Sequence, residues 1–215
     1  MESDKTRLIL IRHAHVDTGK DGLRMCGWLD LPLSSIGELQ LQCLRDEPSK
    51  FKPDAVYASS LLRARLTAET LAAKWRAHVT IDPDLREINC GALEGMLIDE
   101  VKRRFPELWT RNASQDDFDF AWPDGEAYKY FRVRVFNALD RIAGQHPDAR
   151  IPVVTHSGVI AQVVGAIKGL SPAVWDQNRP APLTATEVIW RGGAPVQMLS
   201  FNVSAWWREL QPHAE

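Results

Sequence analysis

The chain has 215 residues, of which 45% are hydrophobic and 25% charged, a composition typical of a soluble globular protein with one substantial core. Its 26 basic and 28 acidic residues give a formal net charge of −2, so overall charge provides no general attraction to nucleic acid or to an anionic membrane. Three widely spaced cysteines without a CxxC pair, Cys26, Cys43 and Cys90, argue against a disulfide framework and a cysteine-rich metal site.

The chain shows no internal repeat and no Gly/Ser linker, which predicts a single domain over residues 1–215. Its N-terminus leads into a strand without the apolar segment of a signal peptide, and its longest apolar stretch is too short to span a bilayer. We therefore expect a cytoplasmic protein with no membrane partner.

Apolar runs and helical periodicity alternate along the chain and predict a layered α/β architecture. In chain order, the predicted elements are a strand over 7–11, a helix over 35–44, a strand over 55–58, helices over 60–75 and 128–142, a strand over 151–155, a helix over 159–168, and strands over 186–190 and near 197–203.

Arg12 and His13 stand at the end of the first predicted strand. Open α/β sheets place their sites beyond the carboxyl ends of strands, and a turn beginning at Ala14 would let both side chains reach one pocket. A neutral imidazole can attack phosphorus, and a neighbouring guanidinium binds two phosphate oxygens. The pair suits phosphoryl transfer through a phosphohistidine, although an isolated Arg-His dipeptide is more often a solvated arginine beside a strand end.

Two further polar residues follow other predicted strands. Arg63 falls in the first turn of the second predicted helix, with serines expected at its N-cap, where a helix N-terminus favours an anion. His156 precedes Ser157 and Gly158, small residues that let the chain turn into the next helix. We expect Arg63 to supply a second guanidinium to the phosphate and His156 to donate a hydrogen bond to it.

Five sequence blocks resemble, in order and in approximate spacing, the histidine phosphatase superfamily, also called the phosphoglycerate mutase-like family. Residues 10–14 resemble its Arg-His-Gly signature, 27–34 with Gly37 and Gln40 its next block, 60–69 its second-arginine helix, 85–95 its acid-residue loop, and 155–158 its last motif. The resemblance covers most of the chain and implies the phosphoglycerate mutase-like fold, a three-layer α/β/α sandwich.

The resemblance also implies roles for individual residues. His13 would be the nucleophile that forms a phosphohistidine, and Glu87 would be the general acid. The phosphoryl oxygens would be bound by Arg12, Arg63 and His156, and we add Ser157 to the substrate-binding residues.

Glu87 is supported by its chemistry, because an alkoxide leaves more easily when a positioned carboxylic acid protonates it. The alternative is a surface carboxylate paired with Arg86 or Lys102. Glu94 is a weaker candidate for the acid, and it could instead organise the loop.

The resemblance implies a metal-independent phosphoric monoester hydrolase of the histidine acid phosphatase type, acting on a small phosphorylated metabolite. Two arginines and a histidine can offset the phosphate charge, so neither a metal nor another cofactor is expected. The predicted partner is a small-molecule phosphate ester and not a nucleic acid; a homodimer stays open. Only about forty residues separate Glu87 from Glu126, without the insertion typical of cofactor-dependent mutases, so a phosphosugar mutase is the alternative.

Three positions depart from the family pattern: Ala14 replaces a glycine, His15 stands where many members have glutamate, and Gly19 where many have asparagine. Ala14 is tolerable unless its φ is positive. With His13, His15 forms a His-x-His pair like that of metal-dependent hydrolases, an alternative that needs further ligands after other strands. A catalytically silent binding protein is disfavoured because all five expected polar residues are present.

An insertion around 97–125 is predicted to form a cap over the site. It carries four aromatic residues, Trp109, Phe118, Phe120 and Trp122, and four acidic ones, Asp116, Asp117, Asp119 and Asp124. The rings could stack on the alcohol portion of a substrate, with the carboxylates disfavouring a second phosphate, or they could dock the insertion to the body. Trp75, Trp175, Trp190, Trp206 and Trp207 are expected to pack rather than to contact a ligand.

Overall fold

A computed structural model of the chain describes residues 5–46 and 51–204. The strands are β1 (Thr6–Arg12), β2 (Val56–Ala58), β3 (Val79–Ile81), β4 (Arg150–Thr155), β5 (Thr184–Arg191) and β6 (Ala194–Ser204). The helices are α1 (Ser35–Asp46), α2 (Leu62–Trp75), α3 (Ile98–Arg104), α4 (Pro106–Ser114), α5 (Tyr128–Gln145) and α6 (Ser157–Ile167). Within these ranges no helix is long and apolar enough to cross a membrane.

The six strands form one mixed sheet in the order β3-β2-β4-β1-β5-β6. β1, β2, β3 and β4 run parallel to one another, and β5 and β6 extend the sheet as an antiparallel hairpin beside β1. The sequence analysis missed β3, because it is three residues long and lacks a buried residue, so it has no apolar run to signal it.

Helices cover both faces of the sheet because its central strands are apolar on both sides. In β1, Leu8 and Leu10 point into the core beneath α5 and α6, whereas Ile9 and Ile11 point into the core beneath α1 and α2. Successive side chains of a strand point to opposite faces, so an unbroken apolar run predicts this double burial. The predicted three-layer α/β/α sandwich is confirmed.

One local prediction is wrong, and one segment has more regular structure than the sequence indicated. The second helix begins at Leu62 with Leu61 at its N-cap, and neither predicted serine caps it. The Ser59 hydroxyl is instead bonded to the ring of His156, a tertiary contact that competes with capping. In addition, the segment expected to act as a cap contains two helices, α3 and α4, separated at Phe105 and Pro106. Proline fits the first turn of α4 but could not continue α3.

Candidate active site

The carboxyl ends of three parallel strands bring His13, His156 and Ser59 together. Arg12 pairs with Thr155 in the register of β1 and β4, so the residue after each strand is a histidine. The backbone N–H of His13 donates to the Thr155 carbonyl (3.0 Å), and the ring centroids of His13 and His156 are 5.1 Å apart. Sheet register therefore places residues 143 positions apart in the chain in one site.

The hydrogen bond of the His13 ring defines its tautomer. Nδ1 lies 2.7 Å from the carbonyl oxygen of Ala14, which can only accept, so the ring proton is on Nδ1. The lone pair is then on Nε2. Burial and the nearby guanidinium groups of Arg63 and Arg12 hold the pKa of His13 well below its ordinary value, so the imidazole is neutral at neutral pH.

His156 is fully buried and has one ring nitrogen unused. Nε2 lies 2.7 Å from Ser59 Oγ, whereas Nδ1 has no hydrogen-bond partner among the residues that the structure describes. Burial, followed by the charge of Arg63, lowers the pKa of His156 well below its ordinary value. An unpaired polar atom in such a place is costly unless a ligand binds it.

Two guanidinium groups are held in fixed positions beside the histidines. Arg63 is 2% exposed and donates to the carbonyls of Leu29 (2.7 Å) and Gly27 (2.7 Å). Arg12 donates to the carbonyl of Pro180 (2.6 Å), and its Nε is buried without a partner within the described ranges. Burial lowers the pKa of Arg12 to about 10, so it stays charged at neutral pH. Each group keeps N–H donors that an anion can use.

Glu87 contacts the first turn of α6 and lines the same cavity as His13. Its Oε2 accepts the backbone N–H of Gly158 (2.9 Å) and lies 3.5 Å from Ser157 Oγ, while Oε1 accepts the N–H of Ile88 (2.9 Å). The alternative surface pairings are wrong, because the Arg86 guanidinium lies over Trp28 and Lys102 pairs with Asp99.

Arg134, on α5, binds the loop that carries Glu87. Its guanidinium donates to the carbonyls of Asp84 (2.7 Å), Arg86 (3.0 Å) and Glu87 (3.2 Å), and it pairs with Glu126 at 2.6 Å. Sequence reasoning missed Arg134, since a charged residue on an amphipathic helix gives no signal until the loop it contacts is known.

Glu94 acts as a structural acceptor rather than facing the histidines. Its carboxylate receives the backbone N–H groups of Gly27 (3.1 Å), Trp28 (2.7 Å), Leu29 (3.0 Å) and Cys90 (2.9 Å). The carbonyls of two of these residues hold Arg63. Glu94 therefore organises the loop that positions an arginine of the site.

The site opens into a cavity of about 320 Å³. The predicted cap provides part of its wall through Ile98, Trp109, Asn112 and Trp122. Trp109 and Trp122 line the cavity, as predicted for rings that contact a substrate. Phe120 is buried in the core of the cap, as predicted for rings that dock the insertion to the body, and Phe118 is exposed.

Two expectations about cavity residues are wrong. None of the four cap aspartates lines the cavity, and two of them form ion pairs with Arg111 and Lys129 on the surface. Trp175, expected only to pack, lines the cavity because the segment after α6 folds over the site. Trp206 and Trp207 lie outside the described residues.

The structure shows the surroundings of two of the three departures from the family pattern, Ala14 and His15. Ala14 has no positive φ, so its methyl group causes no backbone strain. The His15 ring lies 2.8 Å from Ser34 Oγ, and its backbone N–H donates to Gln40 (2.9 Å). No group of three or more potential metal ligands occurs in the described part of the chain, so the metal alternative has no ligand set there.

Comparison with known proteins shows the family. A model of the histidine phosphatase superfamily (branch 1) matches residues 8–203, and the chain belongs to this superfamily.

Within this superfamily, the chain is similar to phosphatases and to a probable mutase. The chain is 32% identical to a metal-independent phosphoserine phosphatase from Arabidopsis thaliana, over 80% of this chain and 73% of the relative. It is 30% identical to a probable phosphoglycerate mutase from Escherichia fergusonii, over 80% of this chain and 79% of the relative. A solved mycobacterial glucosyl-3-phosphoglycerate phosphatase is 25% identical with a TM-score of 0.79, covering 93% of this chain and 100% of that one.

These similarities confirm the predicted family and fold, and phosphatases of small metabolites among the relatives support the predicted class of activity, phosphoric monoester hydrolysis.

Proposed function

We propose that this protein hydrolyses phosphate monoesters of small metabolites through a phosphohistidine on His13, without a metal ion. The observation that carries the proposal is the convergence of two guanidinium groups, the neutral imidazole of His13 and one carboxylate on a single cavity, with the buried ring of His156 5.1 Å from that of His13. This set supplies a nucleophile, anion-binding groups and a proton donor, which are the parts that phosphomonoester hydrolysis needs.

In the first step, Arg12, Arg63 and Nδ1 of His156 bind the phosphoryl oxygens. Nε2 of His13 attacks phosphorus, forming a P–N bond while the ester P–O bond breaks. Glu87, in its acid form, gives its proton to the leaving oxygen, which departs as an alcohol. Ser59 supports this step, since its hydroxyl can donate to Nε2 of His156 and leave Nδ1 as the N–H donor.

In the second step, water attacks the phosphohistidine. The Glu87 carboxylate takes a proton from the water as the new P–O bond forms and the P–N bond breaks. Phosphate leaves, and the neutral ring of His13 and the acid form of Glu87 are restored. The lowered pKa of His13 suits the first step, because the ring is then neutral and has a free lone pair before it attacks phosphorus.

Phosphoryl transfer between hydroxyl groups is the second candidate, favoured by the mutase relative. A mutase that keeps a doubly phosphorylated primer needs a second anion site. Two other arginines line the cavity. Arg24 is already bonded to Thr18, Gly95 and Asp21, and Arg179 lies over the Trp175 ring and pairs with Asp176 (3.8 Å), so neither is a free second anion site, which favours hydrolysis.

The test is phosphate release from p-nitrophenyl phosphate and a panel of alkyl phosphates, with and without EDTA. We expect turnover that persists with the chelator and is lost in His13→Ala. The matched control is His78→Ala, which removes an exposed histidine away from the cavity. With a phosphate ester labelled on phosphorus, rapid quenching should trap a labelled protein whose phosphoryl group is lost in acid and retained in alkali. Turnover abolished by EDTA, or retained in His13→Ala, would overturn the proposal.

Glu87→Gln tests the acid role separately. It should slow phosphoenzyme formation from alkyl phosphates far more than from p-nitrophenyl phosphate, because nitrophenolate leaves without a proton. Equal slowing of both esters would contradict the acid role of Glu87.

The cytoplasmic location, the homodimer and the classification as a histidine acid phosphatase stay predictions.

A further inference from the structure

The cavity beyond the phosphate-binding end is walled by aromatic side chains from three parts of the chain. Trp109 and Trp122 come from the cap, Tyr128 and Phe131 from the first turn of α5, and Trp175 from the segment after α6. Five rings from separate elements around one space provide a large apolar surface for a ligand.

The polar groups in this part of the cavity are largely paired within the protein. The Tyr128 hydroxyl donates to Asn112 Oδ1 (2.7 Å). The Arg24 guanidinium donates through Nε and both terminal nitrogens to protein oxygens. Burial raises the pKa of the Cys90 thiol well above its ordinary value, so it stays neutral. Trp175 Nε1 is buried without a partner among the described residues, and Arg179 pairs with Asp176 at 3.8 Å. Apart from these two residues, few groups are left to replace the water around a polar leaving group, which makes its burial unfavourable.

The charged residues that line the cavity also disfavour a polar, positively charged leaving group. Glu87 is the only carboxylate among the described residues that line the cavity, and the proposed chemistry uses it. A substrate with an ammonium group, such as an amino acid phosphate ester, would place that group in a cavity lined by four guanidinium groups, with no carboxylate other than Glu87 among the described residues to pair with it. Like charges and the missing counter-ion disfavour such a substrate, even though a relative is a phosphoserine phosphatase.

We propose that the leaving group is an apolar alcohol carrying an aromatic ring, which binds between the cap and the segment around Trp175. This assignment rests on the proposed function for the reaction itself. A cavity of about 320 Å³ suits a phosphate together with a leaving group of one or two rings.

Trp109 and Trp175 are the rings that the proposal assigns to the substrate. Trp122 is 4% exposed and packs with Phe120 in the core of the cap, which explains its presence without a ligand. Trp109 and Trp175 are only half-buried and line the cavity, so each keeps surface that a substrate can cover.

The experiment compares 2-phenylethyl phosphate with O-phosphoserine, both esters of primary alcohols. Binding of 3-phenylpropylphosphonate, which cannot be hydrolysed, is compared with that of methylphosphonate by calorimetry. Both comparisons use the wild type, Trp109→Ala, Trp175→Ala and the control Tyr130→Ala, which removes a ring that is 62% exposed and outside the cavity. Urea unfolding identifies variants that fail to fold, and Trp→Leu at the same position then takes their place.

We expect kcat/KM to favour the phenylethyl ester by at least about tenfold and the phenyl phosphonate to bind at least about tenfold tighter than methylphosphonate. Each tryptophan variant should reduce these ratios several-fold, and Tyr130→Ala should leave them unchanged. A ratio of one or less, or ratios unaffected by both tryptophan variants, would overturn the substrate assignment. Phosphonate discrimination that depends on the tryptophans, without turnover of any ester, would support the aromatic site while the proposed hydrolysis fails.

Discussion

Gly158 is the residue at which a single added methyl group should displace Glu87, the proposed general acid, from the rest of the site. A Cβ on Gly158 would lie 2.0 Å from Oε1 of Glu87 and 2.9 Å from its Cδ. Gly158 lies in the first turn of α6 without a positive φ, so alanine fits the backbone. The obstructing atoms are the end of a flexible side chain, and the carboxylate, rather than the helix, should move.

The contacts set the size of the effect. Oε1 must move by roughly 1.4 Å, from 2.0 Å to an ordinary contact of 3.4 Å, and the bond from Gly158 N to Oε2 is lost. A misplacement of about 1 Å in a catalytic group costs on the order of 100-fold in rate, which is about 3 kcal/mol. Stability should change by only about 1 kcal/mol, because the helix gain from alanine offsets much of the lost hydrogen bond.

The assay is kcat/KM of Gly158→Ala on an alkyl phosphate and on p-nitrophenyl phosphate, together with urea unfolding. We expect a loss of about 100-fold on the alkyl ester and less than about tenfold on the nitrophenyl ester, whose leaving group needs no proton. The control is Gly144→Ala on α5, where an added Cβ meets no atom within 4 Å. Unchanged alkyl ester hydrolysis, or equal losses on both esters, would refute the reasoning about Glu87.

Two further predictions concern the support of the site and its response to pH. Glu94→Gln replaces an oxygen that accepts backbone N–H groups by a donor, so the free energy of unfolding should fall by about 2–4 kcal/mol in urea; a loss below about 1 kcal/mol would contradict the assigned network. The pKa values of His13 and His156 are lowered by folding, so the unfolded chain binds more protons and stability should decrease as the pH falls below about 6.5. Urea midpoints between about pH 7.5 and 5.5 should depend less on pH in His13→Gln, and an unchanged slope would count against the lowered pKa.

Much of the fold is predictable from the sequence because its signals are local. The apolar runs of β1 and β4 and the periodicity of α1, α2, α5 and α6 follow from residue spacing alone. β3 is not predictable in this way, since it is a short edge strand that depends on its pairing with β2. The start of α2 was misplaced because Ser59 contacts a histidine from a distant strand, and no local rule for helix caps contains that contact.

The candidate site also has a part that the sequence predicts and a part that only the tertiary structure shows. Arg12, His13, Arg63, Glu87 and His156 belong to the motifs that resemble the family, and the sequence by itself predicted chemical roles for these side chains. The tertiary structure decided what holds them: Glu94 through the loop at Gly27, Arg134 through the loop at Glu87, and Ser59 beside His156. It also brought Trp175 to the cavity wall. A motif reflects the chemistry of neighbouring residues, whereas hydrogen bonds and cavity walls depend on which distant segments the sheet register and the packing of helices bring into contact.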